Sequence, residues 1–236
     1  LLADVRRLMP GVTGIAARFL HVIDLSAPLT TAGERTLRSL LDDGTAGNGL
    51  STLAGGTFGG TTFAKPSGSV TINRGNASDT LILDALPDLT SSLTLGAAAA
   101  PFSSLTFNGA LSLAANQNLA AFANGTIALP LAASQLNTSG TGTISLTTAR
   151  NIALASGSGL TTVNGNLALS ANLQTPATAG GFVGIDITGA TVRSLGTGEV
   201  NLAGRGGQLT GSSNLHGIAI DGVTARVTSA NGTVRL

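Results

Sequence analysis

The chain has 236 residues, of which 10% are charged, 42% are apolar and 3% are aromatic, every aromatic being Phe. Disordered chains are poor in hydrophobics and usually charged, so this composition buries a core, and that core is built from small aliphatic side chains. A net charge of +1 on scattered basic residues excludes a nucleic-acid footprint, and the lack of any Cys excludes disulfides, thiolate chemistry and Cys-ligated zinc.

Charge divides the chain, with 10 of its 23 charged side chains in residues 1–46. Leu1, Val5 and Leu8 sit at helical spacing before Pro10-Gly11. The run from Ile15 to Leu25 reads as a strand. Thr31 and Glu34 form a capping box that opens a helix whose apolar face is Leu37, Leu40 and Leu41. Residues 1–46 are therefore expected as a helix–strand–helix segment or cap. Residues 47–68 are a Gly/Thr-rich linker or an irregular first coil. Short period-2 strands follow at Ser69–Ile72, Leu81–Leu86, Leu93–Leu95, Leu105–Phe107 and Leu111–Leu113, separated by Asn, Gly and Pro.

Residues 89–149 contain no charged side chain. A spanning helix needs roughly 18 consecutive apolar residues, and Gly96, Asn108, Gly109, Asn116, Asn118, Asn124, Gly125 and Pro130 interrupt this stretch. A membrane barrel needs aromatic girdles, and there is no Trp or Tyr to build them. The expectation is a chain that does not span a membrane.

The later half repeats at a step of 33: Ile152, Ile185 and Ile218 form one series, and Leu154, Ile187 and Ile220 follow two positions on. Gly165 leads to Gly198, Leu167 to Val200 and Leu169 to Leu202 by the same step, and Gly232 comes 34 after Gly198. Leu111 and Leu113 step by 33 to Ile144 and Leu146. Each unit holds two apolar-x-apolar strands and a weaker one at Val192 or Ala225. Three short strands per unit make a three-sided coil, in which Ile185 and Ile187 point inward and Asp186 outward. Such a coil cannot bury its own face alone and needs stacked neighbours. Sandwich strands are not obliged to repeat side-chain identity at a fixed step, and the signature of the ankyrin repeat is absent.

Candidate chemistry is sparse. His21 and Asp24 lie three apart on a strand and face opposite sides. His216 precedes the Ile218 strand, near Asp221 and Asp186. Asp186, Asp221, Arg193 and Arg226 are the one set of acids and bases that a polysaccharide-active site could use, with Arg193 and Arg226 stacked in a ladder by their 33-residue step. The run Gly75 to Leu83 has the look of one degraded calcium-roll nonapeptide. That motif needs tandem copies to complete its oxygen cage, so a turn entering a strand is expected. GTAGNG and GGTFGG lack the Lys-Ser/Thr of a phosphate loop. Asn-Gly at 108, 124, 164 and 231 marks corners that need positive φ.

In the runs GNLALSANLQ, GFVGIDITGATVRSLGTGEVNLAGRGG and HGIAIDGVTARVTSANGTVRL, the sequence resembles the Gly-, Ala-, Thr- and Asn-rich filamentous haemagglutinins and autotransporter passenger regions of bacteria. The resemblance covers about 69–236 and is one of style and spacing. It implies a right-handed parallel β-helix serving as stalk, adhesin or envelope fibre, with no active site. Separately, ARFLHVIDLSAPLTTAGERTLRSLLDDG (Ala17 to Gly44) resembles part of the N-terminal domain of phosphoribosylformylglycinamidine synthase. That portion of the synthase is non-catalytic, and its ATP-binding and glutaminase parts have no counterpart here, so no catalytic residue carries over.

The expected fold is mainly β: a right-handed parallel β-helix over 69–236 with coils of about 33 residues, preceded by the helix–strand–helix segment. The function that the resemblance implies is a structural or adhesive segment of a larger exported bacterial surface protein, and the start at Leu1 rather than Met leads to the expectation of a fragment or processed piece. It acts without catalysis, cofactor or metal. Its partners are cell-surface glycans or other copies of the same protein. A β-helix polysaccharide-active enzyme or glycan-binding module, and a fragment related to the purine-biosynthesis synthase, are the alternatives.

Overall fold

The structure is a computed structural model that describes residues 22–24, 37–55, 60–208 and 215–236. Among the described residues there is no helix, and the regular structure is β-strand. The strands are short runs in which aliphatic residues alternate with Ser, Thr, Asn or Ala. This period-2 pattern puts one row of side chains inside and the other outside.

The first strands are β1 (Val22–Asp24), β2 (Leu37–Asp42), β3 (Leu50–Gly55), β4 (Thr61–Ala64), β5 (Ser69–Asn73) and β6 (Thr80–Leu83). Next come β7 (Ser92–Leu95), β8 (Ser104–Phe107), β9 (Leu111–Ala115), β10 (Leu119–Ala123), β11 (Ile127–Leu129) and β12 (Gln135–Ser139). They are followed by β13 (Ile144–Thr148), β14 (Ile152–Leu154), β15 (Gly159–Thr162), β16 (Leu167–Ala171), β17 (Ile185–Thr188) and β18 (Thr191–Ser194). The last four are β19 (Val200–Gly204), β20 (Ile218–Asp221), β21 (Arg226–Ser229) and β22 (Val234–Arg235).

From β7 onward the strands fall in strict rotation onto three sheets. Sheet A runs β1-β5-β7-β10-β13-β16-β19-β22, sheet B ends in β11-β14-β17-β20, and sheet C runs β9-β12-β15-β18-β21. The pairings along these runs are parallel. Each round of the chain thus adds one strand to each sheet, an arrangement compatible with a β-helix or solenoid. Like residues stack: Ile127, Ile152, Ile185 and Ile218 occupy one rung position of sheet B. Leu119, Ile144, Leu167, Val200 and Val234 do the same in sheet A. Leu136, Leu160, Val192 and Val227 do so in sheet C. These ladders form one continuous core, and Ile152, Ile185, Leu160 and Val192 within it are fully buried.

Corners set the coil spacing. The Asn116 Oδ1 accepts from Thr141 N at 2.9 Å and Oγ1 at 3.0 Å on the next coil, and Asn118 Oδ1 accepts from Thr143 N and Oγ1 at the same distances. One coil pair further on, Asn164 Oδ1 accepts from Thr197 N at 3.2 Å and Asn166 Oδ1 from Glu199 N at 2.9 Å. The backbones beside these brackets come too close for a side chain. A Cβ on Gly165 would collide with the Gly142 carbonyl, one on Gly198 with Gly165, and one on Gly232 with Gly198. The glycine series Gly165, Gly198, Gly232 is therefore a spine of close backbone approach.

The Asn-Gly corners at 108, 124, 164 and 231 do not adopt the expected positive φ, and three further sequence expectations need correction. The helix over Leu37–Leu41 is the strand β2, which pairs in parallel with β6 (Leu40 beside Leu83) and antiparallel with β3 (Leu40 beside Leu53). Leu40 is fully buried, and gaining the core together with two ladders of backbone bonds outweighs a local helical pattern. β1 also joins the stack, Val22 beside Thr71, so the helix–strand–helix preface is not what these residues form. The expected helix at Leu1–Leu8, the capping pair Thr31 and Glu34, and His21 lie outside the described residues.

Second, the coil is not 33 residues throughout. From β5 to the pairing of Ile144 with Leu167, rung partners lie 22 to 26 residues apart, as in Leu105–Ile127 and Leu93–Leu119. Ile152–Ile185 and later pairs lie 32 to 35 apart. Leu111 stacks on Leu136 in sheet C, whereas Ile144 stacks on Leu119 in sheet A. Their separation of 33 is one short coil of 25 plus one side of 8, a coincidence of arithmetic.

Third, Arg193 and Arg226 do not stack. Arg193 pairs with Thr228, and Arg226 with Thr191. The turn between sheets B and C has two residues (189–190) in one coil and four (222–225) in the next, and this shifts the register by two.

Candidate functional site

Asp186 stands on the outer face of β17, half-buried, and its Oδ1 accepts from Thr188 Oγ1 at 2.8 Å. Its rung partner on β20 is Ala219, while Asp221 lies beside Thr188. The two carboxylates share the face of sheet B but are displaced along it by two residues. Asp221 Oδ1 accepts from the Gly222 amide at 2.7 Å.

The two arginines belong to sheet C instead. Arg193 Nε donates to Thr161 Oγ1 at 3.3 Å, and an Arg226 terminal nitrogen donates to the carbonyls of Val223 and Ala225 at 3.1 and 2.7 Å. The structure thus brings the acids together on one side of the coil and leaves the bases on another. The ion pair among the described residues is Arg235–Glu199, at 3.9 Å and exposed. Among the described residues no group of three His, Asp or Glu side chains is arranged to hold a metal. His216 is exposed, and its carbonyl accepts from Gly184 N at 3.0 Å.

The nonapeptide-like run at Gly75–Leu83 closes on itself. Asp79 is buried, and its Oδ2 accepts from Gly75 N and Asn76 N at 2.8 Å each. Both bonds fall on Oδ2 and come from its own turn. Asp88, also buried, accepts from Gly47 N at 2.8 Å and Gly49 N at 3.1 Å. It thereby fastens the β2–β3 turn, in which both glycines have positive φ (87° and 74°), to the side of the first coils.

The most elaborate polar cluster lies where sheet A turns into sheet B. This corner has three residues (149–151) between β13 and β14 but thirteen (172–184 and 205–217) in the two following coils. Asn172, fully buried at φ 58°, is its node. Its Nδ2 donates to the carbonyls of Thr178 and Gly206 at 3.2 Å, and its Oδ1 accepts from Thr178 N at 2.7 Å and Gln174 Nε2 at 2.9 Å. Gln174 also donates to the Ala149 carbonyl at 2.9 Å. Arg150 lies over the Phe182 ring, 4.9 Å from its centroid. The two long corners are joined by Gly207 N to Phe182 O at 2.9 Å and Gly180 N to Gln208 O at 3.2 Å.

Sequence reasoning missed Asn172, Phe182 and Arg150. The available signal was the coil length itself: the ten residues by which the later coils exceed the earlier ones all fall in this corner.

No family model, curated protein or solved structure matches this chain. Among the described residues no helix is long and apolar enough to cross a membrane.

Proposed function

We propose that the chain is a structural or adhesive segment of a larger exported bacterial surface protein, folded as a right-handed parallel β-helix and working without catalysis. The observation that carries this reading is the uninterrupted aliphatic ladder through all three sheets. In sheet A it runs from Val70 through Leu93, Leu119, Ile144, Leu167 and Val200 to Val234. A protein built this way commits its inner side chains to packing and its backbone to neighbouring coils, and what it gains is length and stiffness. The outer rows of Ser, Thr, Asn and Ala present hydroxyls and amides at rung spacing, roughly 4.8 Å apart. This surface suits hydrogen bonding to cell-surface glycans.

The separation of Asp186 and Asp221 from Arg193 and Arg226 supports the non-catalytic reading over a polysaccharide-active one. Incubating the protein with a panel of bacterial and host polysaccharides tests it. The expected result is binding without a rise in reducing ends. Glycan cleavage that disappears in Asp186→Asn or Asp221→Asn would overturn the proposal.

A further inference from the structure

One edge of the rod is uneven in height. Where sheet A turns into sheet B, four successive corners hold eight residues (96–103), three (124–126), three (149–151) and thirteen (172–184). They stack in that order: Asn124 N donates to Phe102 O, Ala149 N to Ala123 O, and Asn172 N to Thr148 O. Two short corners are thus sunk between two tall ones. One wall is a tight turn in which Ala97 and Ala100 exchange both backbone bonds, at 3.3 and 3.0 Å, with Ala98 and Ala99 exposed at its tip. The other wall is the Asn172 corner, which reaches the floor through Gln174 Nε2, donating to the Ala149 carbonyl at 2.9 Å. Rungs about 4.8 Å apart put roughly 14 Å between the backbones of the two walls. That leaves room for one sugar chain.

The floor of this trough is polar and carries one charge. Across the four corners Arg150 is the single charged residue. Its guanidinium lies over the Phe182 ring, 4.9 Å from the centroid, and one terminal nitrogen donates to Thr126 Oγ1 at 3.2 Å and Asn151 Oδ1 at 3.3 Å. Thr126 Oγ1 in turn donates to Asn151 Oδ1 at 2.8 Å, which fixes the group further. Among the described residues, Nε and the other terminal nitrogen donate to no protein atom, and Arg150 has no ion-pair partner. A half-buried cation held by stacking, with donors to spare and no carboxylate on it, is preorganised for an anion.

We propose that this trough binds a carboxylated glycan. A uronic or sialic acid unit places its carboxylate on the free edge of the Arg150 guanidinium, while its hydroxyls meet the amides of Asn124 and Asn151. The planar fork of one guanidinium matches one planar carboxylate, whereas a phosphate carrying up to two charges calls for a second cation, and these corners hold none. The inference rests on the glycan-facing role proposed above and names the class of glycan and the place where it docks.

Calorimetric titration of the full chain tests it with a hyaluronan hexasaccharide, a galacturonan hexasaccharide and sialyllactose, each beside its carboxyl methyl ester. At least one free acid is expected to bind, and its ester about tenfold more weakly. Arg150→Gln costs that acid a similar factor while the hydrogen-exchange protection of β13 and β14 is retained. Lys65→Gln, which removes an exposed charge elsewhere, costs nothing. Because Arg150 also packs on Phe182, Asn124→Trp is the second variant: it leaves Arg150 intact, fills the exposed floor and abolishes binding. Failure of all three acids to bind, equal binding of acid and ester, or displacement of the acid by an equal concentration of inorganic phosphate would each overturn the proposal. So would affinity indifferent to Arg150→Gln or Asn124→Trp, or an equal loss in Lys65→Gln. The non-catalytic reading fails on a different result, glycan cleavage, and neutral glycans bound along the outer rows would leave it standing without this site.

Discussion

Coils built on β10 to β16 and coils built on β16 to β22 have the same inner ladders but differ at one corner. In the first group, three residues carry the chain from sheet A to sheet B; in the second, thirteen do. The sides are held to a narrow length because each must present inward aliphatics in register with the coil below. A corner is free to lengthen if its backbone groups find partners. The long corners supply those partners themselves, through Asn172, Gln174 and the pairing of one corner with the next. Extra loop length is entropically inexpensive once the ends are fixed, so the rod tolerates it without losing register.

The first way to test that division is to attack the shared ladder. Ile185→Asp places a carboxylate at a fully buried rung. It should cost more than about 4 kcal/mol and remove hydrogen-exchange protection from β14, β17 and β20 together. A milder probe compares Leu146→Ala in a short coil with Ile220→Ala on β20. The former creates a cavity and should lower stability by about 2–5 kcal/mol in urea titration. The latter, 42% exposed already, should cost about 1 kcal/mol or less. Equal losses would show that the last coil is covered in solution.

Asn172→Ala separates corner from ladder. It strands the carbonyl of Gly206 and the amide of Thr178, and should destabilise the long corners by about 2 kcal/mol. Exchange at β10 and β13 should stay unchanged; its loss there would mean that the corners help to hold the short coils. The smallest effect belongs to Arg193→Ala on the outer face, within about 0.5 kcal/mol. A larger loss would assign the Arg193–Thr161 contact a structural weight that an exposed pair at 3.3 Å does not normally carry.

The ladder was readable wherever side-chain identity repeats across adjacent coils, as at Ile152, Ile185 and Ile218. It was misread where the step matched by accident. Leu111 and Ile144 belong to different sheets, and a periodicity measured along the chain does not distinguish one long coil from a short coil plus one side. Arg193 and Arg226 failed for a related reason: two extra residues in a turn shift the register, and the sequence step does not reveal which turn absorbed them. Leu37–Asp42 failed because Leu37, Leu40 and Leu41 fit a helical face and a strand nearly equally well over so short a run.

Composition and alternation alone, then, dictate a mainly β chain with a small-residue aliphatic interior, because residues with one branched side chain every second position can be buried only in stacked extended strands. Corners are foreshadowed by Asn-Gly at 108, 124, 164 and 231, but for a different reason than turn geometry: none of these residues has positive φ, and the glycines stand where a neighbouring coil's backbone leaves no room for a Cβ. Two matters were decided by long-range pairing: that coil length changes after β16, and that the first strands join the same sheets with antiparallel pairings at β2, β3 and β4. Each depends on which distant strand a segment meets, and that choice is settled by hydrogen bonding and core packing between coils, neither of which is encoded in any local run of residues.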